Sequence, residues 1–521
     1  MNALPVFPIV LPALTAAFLV LVLRHRLGAQ RIVSVGATVL LLIVAIVLYG
    51  VAADGAPRPY LLGDWPAPFG IVLVLDRLSA TMVLLTAALG LVIALAACGG
   101  WDARGRHFHP LFQFQLMGLM GAFLTGDVFN LFVFFEVMLI ASYGLMLHGG
   151  GERRLKAGFQ YVAINLIGST LFLFAVGLIY AVTGTLNMAD LAAKVPHVAA
   201  GDEALLKTGA LLLFLVFALK AALVPLHWWL PRAYAAAPGP VAALFMLMTK
   251  VGAYAILRVF GLVFGESAGP LADVAAPWVL PAALVTLALG AAGVLASRTL
   301  SGLACFAVVW SMGLLLVAFG LFDAKGVGAG LYYLVHSTVA GAALFLLVDV
   351  LRAARGPAAD RLVPTPTLPS MLSAGLFFAV AIAVAGMPPL SGFLGKLLIL
   401  DASRNVPAMA WIWTIVLATS LVVILGFARA GSALFWKTAP SEAAAADDAA
   451  SGREEKVRER PLLPVAACAT LVAGTALLTV FAGPVTAALD TTARQALDTA
   501  RYVEAVLPAA AAKKSVTLSR R

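Results

Sequence analysis

Long apolar runs, repeated along almost the whole chain, limit what this sequence can fold into. A helix needs about 20 largely apolar residues to cross a bilayer, and fourteen such stretches occur. Since lipid offers exposed backbone groups no hydrogen-bond partner, each stretch is predicted to be helical. The predicted spans lie near 4–23, 32–52, 70–98, 107–124, 127–147, 158–182, 205–224, 240–263, 275–296, 300–321, 328–351, 370–400, 408–430 and 462–483.

The composition supports an all-α polytopic membrane protein with about 14 transmembrane helices. Of the 521 residues, 62% are hydrophobic and only 12% are charged, against about 25% charged in an average soluble domain. A soluble fold is excluded because it could not bury so much apolar surface. We assign the net charge of +10 to basic loops, as in polytopic membrane proteins, and expect no nucleic-acid partner.

The distribution of basic residues between loops predicts the orientation of the chain. The first loop and every second loop after it carry nineteen Lys and Arg residues, whereas the alternate loops carry five. Cytoplasmic loops are the ones enriched in Lys and Arg. The protein is therefore expected in the cell (inner) membrane, with both termini on the outer, periplasmic side.

Two predicted spans are interrupted, the seventh by LVPLHWWLPRAYAAAPGP and the twelfth by AGMPPLSGFLGK. Each break falls in the fourth member of a five-helix unit, if spans 4–8 and 9–13 form two units. Five is odd, so the units would be inverted relative to one another, and interrupted helices at matching positions point to a transporter's ion site. The predicted domains are N-terminal helices (1–106), first repeat (107–263), second repeat (264–430), cytoplasmic linker (431–461), and helix 14 with an external amphipathic tail (462–521).

Ionisable side chains inside the apolar spans are the main functional signal. A charged side chain at the bilayer centre costs at least about 2.5–3.5 kcal/mol, and such residues often form proton relays. Burial disfavours the charged form of a lysine and a nearby carboxylate favours it, while histidine titrates near neutrality. The predicted relay residues are Glu136, Lys220, Lys250, His336 and Lys396.

Structural roles stay open for the same residues. Glu136 can pair with a lysine simply to hold two helices together. Lys220 and Lys396 can cap the carbonyl groups freed at the helix breaks. Lys250 can extend towards the membrane surface, and His336 can be an ordinary core histidine.

Other polar residues are candidates for support. We include His227, an anchor at the first break, together with Tyr254 and Asp349, as supporting residues of the relay. Asp76 and Arg77 begin the third span and are expected to pair with each other.

No cofactor or metal is predicted. The three cysteines, Cys98, Cys305 and Cys468, lie singly along the chain without a C-x-x-C pair, so the sequence suggests neither an iron–sulfur cluster nor a disulfide framework. Beyond the last span, residues 485–507 have amphipathic helical spacing and are expected to lie along the outer surface or against a neighbour.

Three motifs carry a family resemblance: GDVFNLFVFFEVMLIASYGLM, ALKAALVPLHWWLPRAYAAAPGPVAALFMLMTKVGAYAILR and GMPPLSGFLGK. Over roughly residues 70–437 the chain resembles the D-type membrane component of Mrp-type (also Mnh or Pha) monovalent cation/proton antiporters. Their wider superfamily includes the antiporter-like membrane subunits of respiratory complex I. The resemblance implies fourteen helices with two inverted repeats, and assembly with other membrane subunits of types A, B, C, E, F and G.

The resemblance also implies a role for each buried group. Glu136 and Lys220 would be the glutamate–lysine pair of the first repeat, Lys250 the central lysine, His336 the connecting residue and Lys396 the lysine of the second broken helix. One complex I subunit has glutamate at the position of Lys396. The implied protein is not an enzyme but a secondary transporter subunit that moves H+ in exchange for Na+ or another monovalent cation.

Three alternatives remain at this stage. The first is a proton-pumping membrane subunit of a complex I-like NADH:quinone oxidoreductase or of a membrane-bound hydrogenase. The second is an enzyme subunit with a quinone site, for which the sequence has no dedicated feature. The third is a structural subunit with an inactive channel. Against it, placing so many ionisable groups in lipid costs free energy that a purely structural role would not require.

Overall fold

The computed structural model describes residues 3–366, 368–438 and 462–507, so most of the predicted linker 431–461 lies outside the described residues. The described residues form nineteen α-helices and one small β-hairpin. The first helices are α1 (Phe7–Leu21), α2 (Leu27–Ala52), α3 (Arg77–Ala97), α4 (Phe108–Leu124), α5 (Val128–Leu147) and α6 (Glu152–Thr183).

The central part of the chain continues the helical pattern through the first predicted break. Its helices are α7 (Met188–Lys194), α8 (Glu203–Lys220), α9 (Trp229–Ala236), α10 (Gly239–Leu262), α11 (Ala276–Ala296), α12 (Leu300–Phe319) and α13 (Ala324–Ala354). The last group is α14 (Met371–Ala385), α15 (Ser391–Ala402), α16 (Met409–Phe435), α17 (Leu462–Val480), α18 (Ala482–Ala496) and α19 (Thr499–Val506).

The membrane character of the chain is confirmed. Every predicted span contains a helix of the structure, and eleven helical segments among the described residues are long and apolar enough to cross a membrane. The protein is therefore a multi-pass membrane protein. The count of fourteen crossing helices and the orientation of the termini stay predictions.

The third predicted span, 70–98, is wrong at its start. Strand β1 (Arg58–Leu61) pairs antiparallel with β2 (Val72–Leu75), and helix α3 begins only at Arg77. Asp76 caps this helix by accepting the backbone N–H of Ser79 at 2.8 Å. The expected pair of Asp76 with Arg77 is also wrong, because the Asp76 carboxylate accepts two hydrogen bonds from Arg258, at 2.6 and 2.9 Å.

Both predicted breaks occur. Helix α8 ends at Lys220 and is followed by the short α9, whereas α14 ends at Ala385 and α15 resumes at Ser391. The two proposed units also make corresponding helix contacts: α4 packs on α5 as α11 packs on α12, and α4 meets α10 as α11 meets α16. These contacts agree with two five-helix repeats, whose inverted orientation stays a prediction.

The core lies around α10, α12 and α13. Every residue of α10 is buried, and α12 is buried over almost its whole length. The amphipathic tail is helical as predicted. It forms α18 and α19, and α18 packs against α13 and α3 of the same chain, with Leu489 and Ala493 buried.

Helix α5 begins just after a titratable cap. Asp127 accepts the backbone N–H of Asn130 at 2.7 Å, and burial raises the pKa of Asp127 to about 6. The folded state thus binds a proton more tightly than the unfolded state does. This contribution to stability is complete below about pH 4, where the unfolded carboxyl is also protonated, and is lost as the pH rises through about 6.

We predict that Asp127→Asn, which keeps an oxygen acceptor for the cap, removes this pH dependence. Between pH 5 and pH 7.5, the thermal midpoint of the purified assembly should fall by about 2–4 °C more in wild type than in the variant. Asp323→Asn, at the N-cap of α13 where Asp323 accepts from Gly326, is the matched control. Identical pH dependence in wild type and Asp127→Asn would contradict the prediction.

Candidate functional site

Glu136 lies midway along α5 and is half-buried. Its Oε1 accepts a hydrogen bond from the hydroxyl of Ser169 on α6. The family resemblance implied a glutamate–lysine pair with Lys220. Within the described part of the chain no ion pair joins the two, although the charge of Glu136 acts on Lys220 electrostatically.

Lys220 is the last residue of α8 and is buried. Its Nζ donates to Oδ1 of Asn165 at 2.7 Å. The amide Nδ2 of Asn165 donates to the Tyr161 carbonyl of its own helix, also at 2.7 Å. The suggested capping role of Lys220 is taken by another residue, because Trp229 Nε1 donates to the Leu219 carbonyl at 3.0 Å.

Lys250 is fully buried in the centre of α10. Its Nζ lies 3.2 Å from the Met312 sulfur on α12, and a thioether is only a weak acceptor. Two residues later, Gly252 allows α8 to approach, since a Cβ there would lie 2.6 Å from the Ala221 nitrogen and 2.9 Å from the Lys220 carbonyl carbon. The helix segments that carry the two lysines are therefore in direct backbone contact.

His336 lies on α13 and joins it to the second break. Its Nδ1 is 2.8 Å from the Ser391 hydroxyl at the start of α15, and its Nε2 is 3.1 Å from the Ala383 carbonyl near the end of α14. A carbonyl oxygen can only accept, so Nε2 carries the proton. The positive charges of Lys250 and Lys396 both act on His336.

Lys396 lies on α15, just after the second break. Its Nζ donates to the Ala385 carbonyl at 2.6 Å and to the Ser420 hydroxyl on α16 at 3.1 Å, and it lies 5.6 Å from the centre of the Trp310 ring. Lys396 therefore caps the end of α14, which was the structural role suggested for it. This cap is compatible with a proton-carrying role, because the Lys396 amine can gain or lose a proton while it donates a hydrogen bond.

The supporting residues occupy three separate places. His227 is half-buried in the first break, and its Nδ1 has no hydrogen-bond partner in the described part of the chain. Tyr254 donates to the Phe123 carbonyl at 2.6 Å and accepts from Arg258 Nε at 3.2 Å. Asp349 accepts the backbone N–H of Gly239 at 2.7 Å. Asp349 thus holds the start of α10, and Tyr254 holds the helix one turn after Lys250.

Two cavities adjoin residues that were predicted for the site. One, of about 620 Å³, has Asp349, Trp101 and several arginines in its wall. The other, of about 10 Å³, adjoins His336, Ser337 and Ser311. The smaller volume matches a single water molecule, which needs polar partners of this kind.

Comparison with known proteins identifies the family. The sequence model described as "NADH:quinone oxidoreductase/Mrp antiporter, TM" matches residues 125–424. The chain belongs to this family. The match spans both broken helices and all five residues of the predicted relay.

Individual relatives cover most of the chain. It is 40% identical to a protein of Rhizobium meliloti that is named as the D component of a probable K+/H+ antiporter, over 84% of this chain and 87% of the relative. It is 36% identical to the D component of the Na+/H+ antiporter of Alkalihalophilus pseudofirmus, over 97% of this chain and 100% of the relative.

Solved structures agree with these relatives. A chain of the Mrp complex from Dietzia sp. superimposes with a TM-score of 0.86 at 29% identity, covering 97% of this chain and 99% of that one. A chain of respiratory complex I from Thermus thermophilus gives a TM-score of 0.77 at 24% identity, covering 95% and 99%. At this level of identity, the comparison with the complex I chain shows a shared fold only.

A separate cluster has the residue types of a metal site. Ligand atoms of Cys98, Asp102 and His109 lie within 4.8 Å of one another. However, Asp102 already accepts from Arg31 at 2.5 and 2.8 Å, and its Oδ2 lies 3.1 Å from His109 Nε2. A bound cation would meet the charge of Arg31, so we assign the cluster to local ion pairing.

Several polar residues at the site were missed from the sequence. Asn165 and Ser169 lie on α6, and Ser420 lies on α16. Each is a neutral polar residue within an apolar span. A search for buried polar residues of every kind, in place of ionisable ones alone, would have found them, but it could not have paired them with their partners.

Gly392 keeps the space that His336 needs at the second break. A Cβ at Gly392 would overlap the Ala383 carbonyl oxygen and lie 2.7 Å from His336 Nε2, the two atoms of one hydrogen bond. We predict that Gly392→Ala destabilises the protein by about 1–3 kcal/mol, as overpacking does. A lower thermal midpoint of the purified assembly would be the readout.

Gly375→Ala is the matched control, because a Cβ at this helical glycine of α14 meets nothing within 4 Å. It should leave the midpoint unchanged or raise it, since alanine is the better helix former. Equal midpoints for the two variants would contradict the close approach at Gly392.

Proposed function

We propose that this chain is the proton-translocating subunit of a multisubunit antiporter that exchanges H+ for Na+ or another monovalent cation. The observation that carries the proposal is a row of ionisable groups that begins at the half-buried Glu136 of α5 and continues through buried residues to α15. At its centre, Lys250 is fully buried and, among the described residues, has only a sulfur atom as its hydrogen-bond partner. An intramembrane ionisable residue of this kind is functional by default.

The relay would run through the middle of the fold. A proton would pass from Lys220 to Lys250, then to His336 and Lys396. The contact of α8 with α10 at Gly252 supports the first step, and the electrostatic action of Lys250 and Lys396 on His336 supports the later steps. Bound water in the small cavity beside His336 would extend the path.

Glu136 would control the first step. When Lys220 lies close to this carboxylate, its ammonium form is favoured, and when the two separate, burial favours loss of the proton. Contact and separation of Glu136 and Lys220 would therefore gate transfer to Lys250. The coupled cation would travel elsewhere in the complex, with the other membrane subunits as the expected partners.

The antiporter is favoured over the other functions considered. Relatives that are 36–40% identical over at least 84% of this chain carry the names of antiporter D components. The complex I chain is only 24% identical, so that comparison supports a shared fold and not a shared function.

The test is cation-induced proton movement in everted vesicles that contain the whole complex. Adding Na+ or K+ should dissipate an imposed ΔpH with wild type. In Glu136→Ala, Lys220→Ala and Lys250→Met, exchange should fall by about 100-fold, since a positioned proton-transfer group typically contributes 10²–10⁴-fold. Native gels of the same membranes would check that the complex assembles.

Lys207→Ala is the matched control, because Lys207 lies on α8 with Lys220 but is exposed. It should exchange at the wild-type rate. Full exchange in all three relay variants, with assembly intact, would mean that the buried groups are structural and that protons cross through another subunit.

A further inference from the structure

We infer that Asn165 and Ser169 of α6 are positioning residues that hold Glu136 and Lys220 apart and so set the resting state of the gate. This inference rests on the proposed function and identifies the element that controls it. Both residues lie on one helix, which packs against the helix that carries the glutamate and against the helix that carries the lysine. Neither residue is among those that the sequence predicts for the relay.

Asn165 offers Lys220 an alternative to the carboxylate. Its Oδ1 accepts from Lys220 Nζ at 2.7 Å, and its Nδ2 donates to the Tyr161 carbonyl at 2.7 Å. The second bond fixes the amide so that its oxygen, rather than its nitrogen, faces the lysine. A neutral amide oxygen can accept from a protonated or a neutral amine, so Asn165 can hold Lys220 before and after it releases a proton.

Ser169 holds Glu136 as Asn165 holds Lys220. Its hydroxyl donates to Oε1 of the glutamate. Ser169 lies four residues after Asn165, so the two side chains project from the same face of α6, one turn apart. The glutamate and the lysine are thus bonded to adjacent turns of a single helix instead of to each other.

The packing of α6 keeps this arrangement in place. Gly168 lies between the two positioning residues, and a Cβ there would be 2.8 Å from Leu219, the residue before Lys220. Asn165 and Ser169 are themselves buried, with 2% and 7% of their surface exposed. Buried polar groups that lose a partner are destabilising, so the separated arrangement is a defined state of the site.

Removing either positioning residue should shift the gate towards the closed pair. The helices around Lys220 carry several titratable side chains, among them Glu136 of α5, Tyr161 of α6 and Lys250 of α10. The charge of Glu136 is the one that acts on Lys220. Without Asn165 the lysine would turn to Glu136, and without Ser169 the glutamate would turn to the lysine. Either change would keep the proton on Lys220 up to a higher pH.

The experiment is the pH profile of cation-induced proton exchange in vesicles that contain the whole complex. We expect Asn165→Leu and Ser169→Ala to move the half-maximal pH in the same, alkaline direction, each by about one pH unit. Asn165→Asp, which adds a carboxylate beside Lys220, should move it further. Ser169→Thr retains the hydroxyl and should restore the wild-type profile.

Thr170→Ala is the matched control. Thr170 is the neighbour of Ser169 on α6, but it is exposed and donates to the Leu166 carbonyl of its own helix, so its loss should leave the profile unchanged. Native gels would again report assembly. A fall in rate without a shift in pH, or wild-type profiles in Asn165→Leu and Ser169→Ala, would overturn the inference.

The two proposals fail in different ways. If Glu136→Ala and Lys220→Ala retain full exchange, the proposed relay is wrong. If these two variants lose exchange while Asn165→Leu and Ser169→Ala behave as wild type, the relay stands and only the role of α6 is wrong.

Discussion

The rest of the site depends on how the backbone groups at the two helix breaks are satisfied. A carbonyl left unpaired in an apolar interior costs several kcal/mol, so each break needs a donor nearby. At the first break the Trp229 indole donates to the Leu219 carbonyl, which leaves the adjacent Lys220 able to bind elsewhere. At the second break Lys396 and His336 bond to the Ala385 and Ala383 carbonyls themselves.

The lysines at the two breaks therefore have different partners. The two predicted repeats make corresponding helix contacts. Lys220 bonds to a neutral side chain on a neighbouring helix. Lys396 also bonds to such a side chain, Ser420, but in addition it is bound to the backbone of its own broken helix. In the proposed relay, the first lysine exchanges partners, and the second ends the path at a fixed position.

The buried helix α10 connects these two halves. Asp349 holds its first residue, Gly239, and contacts of Tyr254 and Arg258 hold its second half. The Asp76–Arg258 ion pair gains much of its specificity from having two hydrogen bonds in a dry environment. Lys250 lies between these attachments, and low dielectric around it strengthens every charge interaction that reaches it.

The sequence by itself determined the class of protein, the approximate position of every apolar helix, both helix breaks and all five ionisable groups of the proposed relay. These features are readable because hydropathy, proline and glycine act over a few residues. Only the tertiary structure decided the β-hairpin before α3, the partner of Asp76 and the separate partners of Glu136 and Lys220 on α6. Those contacts join residues up to 182 positions apart, and helix packing, which local sequence patterns do not encode, selects which polar groups meet.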